Sequence, residues 1–311
     1  MKILSLGEVL WDVFAEKEYL GGAPLNFSAV SQRLGNSVAL LTAVGADERG
    51  FAALKSMGVL GLTTEFVQRV SERPTGTAIV STGSDGSTAF TIDRPAAFDC
   101  LTVDTALLSR VVRFAPDWLY FGTLAQANPH METMLLRLVE NLPNTRRFYD
   151  VNLRAGHWTL ALVEKLSAVA DVLKLNHTEA ETLYELTLGK SGFSLESFCR
   201  HWASTYEIAT ICVTRGGDGC SIFAGDVLRS FDGFAVKVAD TVGAGDAFSA
   251  AFLHGLNAGW PLEKNASFAN ALGALVVSRP GATPDWNIEE CFDLIQSHSS
   301  SRETLNPSGP R

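Results

Sequence analysis

Short apolar runs alternate with longer amphipathic stretches along most of this chain. The apolar runs predict buried β-strands, and the amphipathic stretches, whose apolar positions recur every three or four residues, predict helices. The predicted strands are residues 2–7, 38–45, 117–122, 146–151, 171–176 and 208–214. The predicted helices are residues 24–34, 49–57, 131–142 and 178–188. This repetition is typical of an α/β fold in which a central, mostly parallel sheet has helices on both faces.

Two parts of the chain depart from the alternation. Within residues 62–93, segments 76–82 and 87–92 flank the turn sequence 83–86, which predicts a hairpin. We interpret residues 62–93 as a small β-rich lid, to which segment 12–21 could contribute; an ordinary hairpin at the sheet edge is the alternative. Residues 1–61 and 94–296 would then form the α/β domain. The polar, Ser- and Pro-rich residues 297–311 are expected to be a disordered tail.

The net charge of the chain is −9, from 25 Lys and Arg residues against 34 Asp and Glu residues. Because nucleic acids and anionic membranes attract basic surfaces, this balance disfavours both as partners. Five cysteines without a C-x-x-C pair argue against a disulfide framework and a structural zinc site. Glu8 and Asp12 interrupt the N-terminal apolar run, and no apolar stretch reaches the ~18 residues that span a bilayer. We therefore expect a cytoplasmic protein.

The strongest candidate for chemistry is segment 240–248, which reads DTVGAGDAF and precedes a helical run of small residues. Small residues at a helix start let the N–H groups of Gly243, Ala244 and Gly245 point into one space, where the helix dipole also favours negative charge. The segment therefore predicts a phosphate-binding site. Asp246 is either a base beside that site or a carboxylate that stabilises the helix N-terminus, and the pattern alone leaves both interpretations open.

Other chemistries have weaker support in the sequence. No Lys-Ser or Lys-Thr follows the glycines, and Phe248 stands where a G-x-G-x-x-G motif needs its third glycine. The histidines show no H-E-x-x-H spacing and the chain has no G-x-S-x-G motif, which disfavours a zinc enzyme and a serine hydrolase. A nicotinamide oxidoreductase on a doubly wound sheet is the alternative from another enzyme class.

Two segments resemble the signatures of the ribokinase-like (PfkB) carbohydrate kinases. Segment 240–246 is similar to the second signature, and segment 21–29, which reads GGAPLNFSA, is similar to the first. The resemblance covers roughly residues 2–295 and implies a ribokinase-like fold with a small lid and an ATP-dependent sugar kinase activity. Since phosphoryl transfer depends on positioning and charge stabilisation, Asp246 would accept the proton of a sugar hydroxyl beside the N–H groups of Gly243, Ala244 and Gly245.

The resemblance also implies which residues contact the ligands. The sugar would be held by Asp12, Gly22, Asn26, Arg154 and Asp246. The nucleotide would be held by Asn176, Thr214, Gly216, Gly217, Gly219, Gly243, Gly245 and Asn270. Glu179 would reach Mg²⁺ through water, although a carboxylate in a first helical turn also suits the helix dipole. A monovalent cation such as K⁺ would be held at Asp240, Val242 and Gly281, where Asp285 departs from the small residue of many relatives.

Segment 150–158 narrows the expected substrate. It carries the pattern D-x-N-x-R followed by Trp158, which resembles fructokinases and ketodeoxygluconate kinases. Phosphorylation of fructose to fructose 6-phosphate with ATP and Mg²⁺ is therefore the first expectation, with 2-keto-3-deoxygluconate, ribose or a nucleoside as alternatives. A catalytically inactive sugar sensor is a further interpretation, which the intact Asp246 and glycine loop disfavour. The resemblance also implies a homodimer formed through the lid.

Overall fold

A nine-stranded sheet forms the centre of the molecule in the computed structural model, which describes residues 1–82, 88–190 and 192–305. In chain order the strands of the protein are β1 (Lys2–Leu6), β2 (Leu10–Val13), β3 (Glu18–Gly21), β4 (Ser37–Gly45), β5 (Val67–Val70), β6 (Gly76–Thr82), β7 (Thr88–Ile92), β8 (Trp118–Gly122), β9 (Arg146–Asp150), β10 (Val172–Asn176), β11 (Thr210–Thr214), β12 (Cys220–Ala224) and β13 (Val227–Phe231). The large sheet has the order β13-β12-β11-β10-β9-β8-β1-β4-β5. Its neighbours pair in parallel except at β11–β12 and β12–β13.

Helices cover both faces of the large sheet. They are α1 (Ala23–Arg33), α2 (Glu48–Val59), α3 (Thr105–Phe114), α4 (Pro129–Asn141), α5 (Leu160–Ser167), α6 (His177–Thr187), α7 (Leu195–Tyr206), α8 (Ala244–Asn257), α9 (Leu262–Val277) and α10 (Ile288–Leu305). Successive side chains of a strand point to opposite faces, so Ile3 packs in the core formed with α1, α8 and α9, and Leu4 in the core formed with α3 to α7. The predicted α/β fold with helices on both faces is confirmed. Of the helices described, none combines the length and apolar character needed to cross a membrane.

Local sequence explains why the predicted helices agree with the structure within two residues at each end. The Asp47 side chain caps α2 by accepting a hydrogen bond from the Gly50 N–H, and the Asn176 side chain caps α6 in the same way through Glu179. Pro24 stands in the first turn of α1, where a missing N–H loses no helical hydrogen bond. These start signals depend on a few neighbouring residues, and the sequence alone therefore reveals them.

A small second sheet has the order β3-β2-β6-β7. Strand β2 follows β1 after a short loop and pairs in parallel with β6, so the small sheet stands at the carboxyl end of β1. Leu10, Ala78 and Ile92 of the small sheet pack with Leu124, which follows β8. The small sheet thus lies over the carboxyl edge of the large sheet, where the loops that follow its strands meet.

The predicted lid boundary, residues 62–93, differs from the observed sheets. Strand β5 lies within that range but pairs with β4, because the chain returns from α2 along the open edge of the large sheet. The small sheet instead takes β2 and β3 from segment 10–21. The turn predicted at 83–86 lies outside the described residues.

The predicted disordered tail, residues 297–311, is wrong for its first part. Helix α10 continues to Leu305. The Ser and His residues there are weaker helix formers than Ala, but they are compatible with a helix, and the first proline after Ile288 is Pro307. Residues 306–311 lie outside the described part of the chain.

Candidate active site

A cavity of about 640 Å³ lies between the small sheet and the carboxyl ends of β1 and β9. The N-termini of α1 and α8 open onto it as well. The residues predicted from the sequence that line it are Asp12, Gly22, Asn26, Arg154, Val242, Gly243, Gly245 and Asp246. Glu8 and Lys174 line the same cavity, and the sequence alone predicts no role for either of them. The structure therefore brings the predicted sugar residues and the predicted phosphate segment into one space.

The start of α8 is shaped by Gly243, which has a left-handed backbone with φ of +80°. A Cβ atom at this position would lie 2.3 Å from the carbonyl oxygen of Ala282, so the 280–282 loop packs directly on the glycine. The first N–H groups of a helix have no acceptor within the helix, and here Gly245 and Asp246 line the cavity. The N–H of Ala244 instead points to the Thr241 carbonyl oxygen at 3.5 Å. Main-chain groups of this turn, with the helix dipole, can therefore bind an anion.

Asp246 is buried in the first turn of α8, with 8% of its surface exposed. Its Oδ2 accepts a hydrogen bond of 2.8 Å from Nδ2 of Asn26 in α1. Burial is the main cause that raises the pKa of Asp246 to about 6; the charge of Asp150 acts in the same direction, and the hydrogen bond from Asn26 opposes it. The group is thus ionised at neutral pH and is a stronger base than an exposed carboxylate, as a general base should be.

Two other predicted sugar residues offer polar atoms to the cavity. Asp12 lies on β2, and burial raises its pKa to about 6 although the charge of Arg154 opposes the rise. Within the described residues, Oδ1 of Asn26 is buried and has no hydrogen-bond partner. An unpaired buried acceptor beside a cavity suits a ligand that brings a hydroxyl group.

Arg154 follows β9 and is held by its own loop. Its Nη1 donates to Oδ1 of Asn152 at 2.7 Å and to the Leu153 carbonyl oxygen at 3.2 Å. Asn152 has a positive φ of 42°, a conformation that asparagine tolerates better than most residues. A guanidinium has five N–H donors, so this arrangement leaves donors for a ligand.

Gly22 and Glu8 pack against each other at the start of α1. Gly22 has φ of +109°, and a Cβ atom there would lie 2.6 Å from the carbonyl oxygen of Glu8. The Glu8 side chain is buried, which raises its pKa to about 7 against the lowering effects of its main-chain hydrogen bond and of Arg154. Gly22 thus acts through close backbone packing.

Replacing Glu8 with Gln is expected to stabilise the fold at alkaline pH. The folded-state pKa of about 7 lies above the ordinary value of 4.5, so the fold disfavours the ionised form of Glu8. The resulting loss of stability begins as the pH rises through 4.5 and is complete above pH 7. Removing the charge should then raise the free energy of unfolding by about 3 kcal/mol at pH 9, and the gain should fade as the pH falls from 7 to 4.5. Denaturant unfolding at pH 5 and pH 9 measures this. Glu65→Gln, at an exposed site, is the control, and equal stability of Glu8→Gln and the parent protein at pH 9 would contradict the prediction.

The predicted nucleotide residues gather at a second cleft of about 500 Å³, which Asn176, Thr214 and Gly216 line. Oδ1 of Asn176 accepts a hydrogen bond from the Glu179 N–H at 2.9 Å, which leaves its Nδ2 group for a ligand. Gly217 and Gly219 lie in the same turn between β11 and β12. Asn270 lies on α9, where its Nδ2 donates to the Asp232 carbonyl oxygen at 3.1 Å and so supports a neighbouring loop.

The carboxylate of Glu179 joins two strand ends. Its Oε1 accepts a hydrogen bond from the Leu153 N–H at 2.7 Å, and its Oε2 accepts one from the Asn176 N–H at 2.8 Å. Among the residues described, no three His, Cys, Asp or Glu side chains are grouped as metal ligands. Both carboxylate oxygens of Glu179 already accept a main-chain hydrogen bond. The carboxylate therefore fits a Mg²⁺ ion that keeps its water ligands and is bound by Glu179 through one of those waters.

Asp240 ties together the residues predicted to hold a monovalent cation. Its Oδ1 accepts from the Val242 N–H at 3.0 Å, and its Oδ2 accepts from the Gly281 N–H at 3.1 Å. All three residues line a neighbouring cavity of about 760 Å³, together with Asp12. The side chain of Asp240 therefore fixes the 280–282 loop beside the start of α8.

Comparison with known proteins places this site in a family context. The sequence pattern of the pfkB family carbohydrate kinases matches residues 3–289. Fructokinase-1 of Zea mays is 30% identical over 292 residues, which cover 89% of this chain and 88% of that protein.

Solved structures share the fold over nearly the whole chain. A fructokinase from Xylella fastidiosa with bound ATP has a TM-score of 0.83 at 23% identity and covers 96% of this chain and 99% of that one. A fructokinase from Vibrio cholerae with fructose, ADP and a calcium ion has a TM-score of 0.79 at 23% identity, covering 94% and 98%. The 2-dehydro-3-deoxygluconokinase of Thermotoga maritima has a TM-score of 0.79 at 20% identity, covering 95% and 99%. The family pattern spans both signature segments and the whole large sheet, and the chain therefore belongs to the pfkB family of carbohydrate kinases.

Proposed function

We propose that this carbohydrate kinase transfers the γ-phosphoryl group of ATP to the 6-hydroxyl of fructose, releasing fructose 6-phosphate and ADP. The observation that carries the proposal is the 2.8 Å hydrogen bond between Asn26 and Asp246, which joins the two signature segments across one cavity. We choose fructose as the proposed substrate because relatives that align over most of the chain, such as the 30% identical maize protein, are named fructokinases.

Transfer at this site would proceed by direct attack. The C6 hydroxyl oxygen forms a bond to the γ-phosphorus, its proton passes to the Asp246 carboxylate, and the bond to the β,γ-bridging oxygen breaks with its electron pair going to ADP. The N–H groups in the first turn of α8 then stabilise charge on the moving phosphoryl group. Asp12, Asn26 and Arg154 offer a carboxylate, an amide and a guanidinium to the sugar oxygens.

The nucleotide would extend from the α8 N-terminus to the cleft between α6 and the β11–β12 turn. Asn176, Thr214 and Gly216 line that cleft, and the amide nitrogen of Asn176 can donate to a phosphate oxygen. Glu179 would hold Mg²⁺ through water, and the ion would supply charge neutralisation between the phosphates.

A second substrate, 2-keto-3-deoxygluconate, is supported by one observation. Arg154 lines the cavity with donors to spare, and a guanidinium binds a carboxylate in a two-point fork. Fructose has no carboxylate, whereas the keto-acid sugar does. Arg154 is thus the residue through which the two substrates would differ most.

A panel of sugars tests the proposed function. With ATP and Mg²⁺, kcat/KM from coupled ADP release should be about tenfold or more higher for D-fructose than for 2-keto-3-deoxygluconate, ribose or adenosine. Reactions without sugar measure background ATP hydrolysis, and phosphorus NMR of the product identifies the phosphorylated hydroxyl. Preference for the keto-acid sugar would select the second substrate. Binding of a sugar without turnover of any would favour a sugar sensor.

Three expectations from the sequence stay predictions. They are the cytoplasmic location, the homodimer formed through the small sheet, and the monovalent cation at Asp240, Val242 and Gly281. The last is supported by the hydrogen bonds of Asp240 to the N–H groups of Val242 and Gly281, which hold those residues together.

A further inference from the structure

Asp150, at the end of β9, is a fully buried carboxylate on which three other elements converge. Nζ of Lys174 in β10 lies 3.1 and 3.3 Å from its two oxygens. Oδ2 of Asp150 also accepts hydrogen bonds from Oγ of Ser249 in α8 at 2.7 Å and from Oη of Tyr120 in β8 at 3.2 Å. Such a network fixes both the Lys174 side chain and the first turns of α8 relative to the sheet.

Lys174 emerges from this network beside the start of α8. A Cβ atom built on Gly245 would lie 3.1 Å from Nζ, so the ammonium group lies close to Gly245 in the turn proposed to bind the anion. The residue lines the same cavity as Asp246 and is only 6% exposed. Of the three ammonium protons, the carboxylate of Asp150 engages at most two, which leaves one for a ligand.

The Lys174 ammonium group is one of two positive charges in the lining of this cavity. Glu8, Asp12 and Asp246 line the cavity as carboxyl groups, and Arg154 is the other cationic side chain in its lining. Arg154 is fixed on Asn152, in the loop after β9, whereas Lys174 lies next to Gly245 at the start of α8. Burial works against the charge of Lys174, but the neighbouring carboxylates of Asp150 and Glu179 raise its pKa, so the group is an ammonium ion at neutral pH.

We propose that Lys174 stabilises the negative charge of the transferring phosphoryl group and that Asp150 is the positioning residue that holds it there. The inference rests on the proposed transfer at Asp246. The competing explanation is that Lys174 only neutralises Asp150 and has no role in the reaction. The two explanations differ in what happens when both charges are removed together.

The variant Lys174→Met tests whether the charge of Lys174 acts on the transfer step or on fructose binding. Its kcat should fall about a hundredfold, the loss typical of removing one donor to a developing charge, while KM for fructose changes less than about threefold. The affinity for ADP with Mg²⁺ and aluminium fluoride, which mimics the moving phosphoryl group, should fall much more than the affinity for ADP with Mg²⁺ alone. Lys165→Met, at a half-exposed surface lysine, is the control and should behave as the parent protein.

The double variant Asp150→Asn/Lys174→Met distinguishes a loss of catalysis from a loss of folding. It leaves no charge at positions 150 and 174, and the amide oxygen of the substituted side chain at position 150 can still accept from Ser249 and Tyr120, so its thermal midpoint should return close to that of the parent protein. Its kcat should nevertheless stay about a hundredfold low. Recovery of kcat to within about threefold would overturn the inference, as would unchanged aluminium fluoride affinity in Lys174→Met.

Asp150→Asn alone tests the positioning role. Lys174 keeps its charge but loses its ionic anchor, so kcat should fall about tenfold while KM for fructose stays the same. An unchanged kcat would contradict the role of Asp150. Failure of the proposed function itself looks different, because the parent protein would then not phosphorylate fructose at all.

Discussion

Replacing Asp246 with Asn is expected to lower kcat by about a thousandfold while fructose still binds. Asn has the same shape as Asp and can still accept the hydrogen bond from Asn26, so the packing between α1 and α8 should persist. What the variant loses is the carboxylate that, in the proposed transfer, would take the proton of the attacking hydroxyl. The loss should therefore appear in kcat and leave the dissociation constant of fructose within about threefold.

Coupled ADP release and calorimetric titration with fructose measure these two quantities. Asp104→Asn is the matched control, because Asp104 caps α3 through the Leu107 N–H and asparagine caps a helix equally well. This control should keep the activity of the parent protein. If Asp246→Asn retained a kcat within about tenfold of the parent protein, another group or the solvent would have to accept the proton.

The sequence alone could predict features that a few neighbouring residues determine. The loop 240–246 was predicted as a helix start because its small residues are contiguous, and the structure places it at the start of α8. Apolar runs predict six of the nine strands of the large sheet for the same reason, but not its strands β5, β12 and β13. The sequence indicates only that segment 12–21 could contribute to the lid and does not define β2 and β3 as strands, because each has four residues and contains a carboxylate, Asp12 in β2 and Glu18 in β3.

Other parts of the site depend on contacts between distant segments. Asn26 and Asp246 are 220 positions apart, and Asp150 and Ser249 are 99 apart. A single sequence does not reveal that these side chains meet. The sequence shows Lys174 as one polar residue in a buried strand, and its place beside Gly245 becomes evident only from the packing of α8 on the sheet. Glu8 is likewise evident in the sequence only as an interruption of an apolar run.

The acidic character of the protein is compatible with binding a polyanion such as ATP. The net charge of −9 describes the chain as a whole, whereas the proposed phosphate site at the start of α8 would rely on main-chain N–H groups and a helix terminus. Lys174 adds a positive charge inside the cavity, where it interacts more strongly than on the surface because less water screens it. A few oriented groups in a buried site can thus outweigh a surface of the opposite sign.

Replacing Gly243 with Ala is expected to damage both the fold and the reaction. The residue has a φ of +80°, which costs a non-glycine residue about 1–2 kcal/mol. The added Cβ would also lie 2.3 Å from the main-chain oxygen of Ala282, which cannot move alone because Asp240 holds the adjacent Gly281 N–H. The free energy of unfolding should therefore fall by about 2–3 kcal/mol, and a displaced α8 turn should lower kcat by about a hundredfold.

Gly35→Ala provides a control that separates strain from steric overlap. Gly35 has nearly the same φ, +82°, but nothing lies within 4 Å of a Cβ placed there. This variant should lose only the strain energy, about 1–2 kcal/mol, and keep its kcat. Denaturant unfolding and ADP release compare the two variants directly. The overlap with Ala282 forces the α8 turn of Gly243→Ala to shift. Full activity of this variant would therefore show that catalysis does not depend on the observed position of the N–H groups in that turn. If both variants lost kcat alike, strain anywhere in the fold would explain the effect and the close packing at Ala282 would not matter.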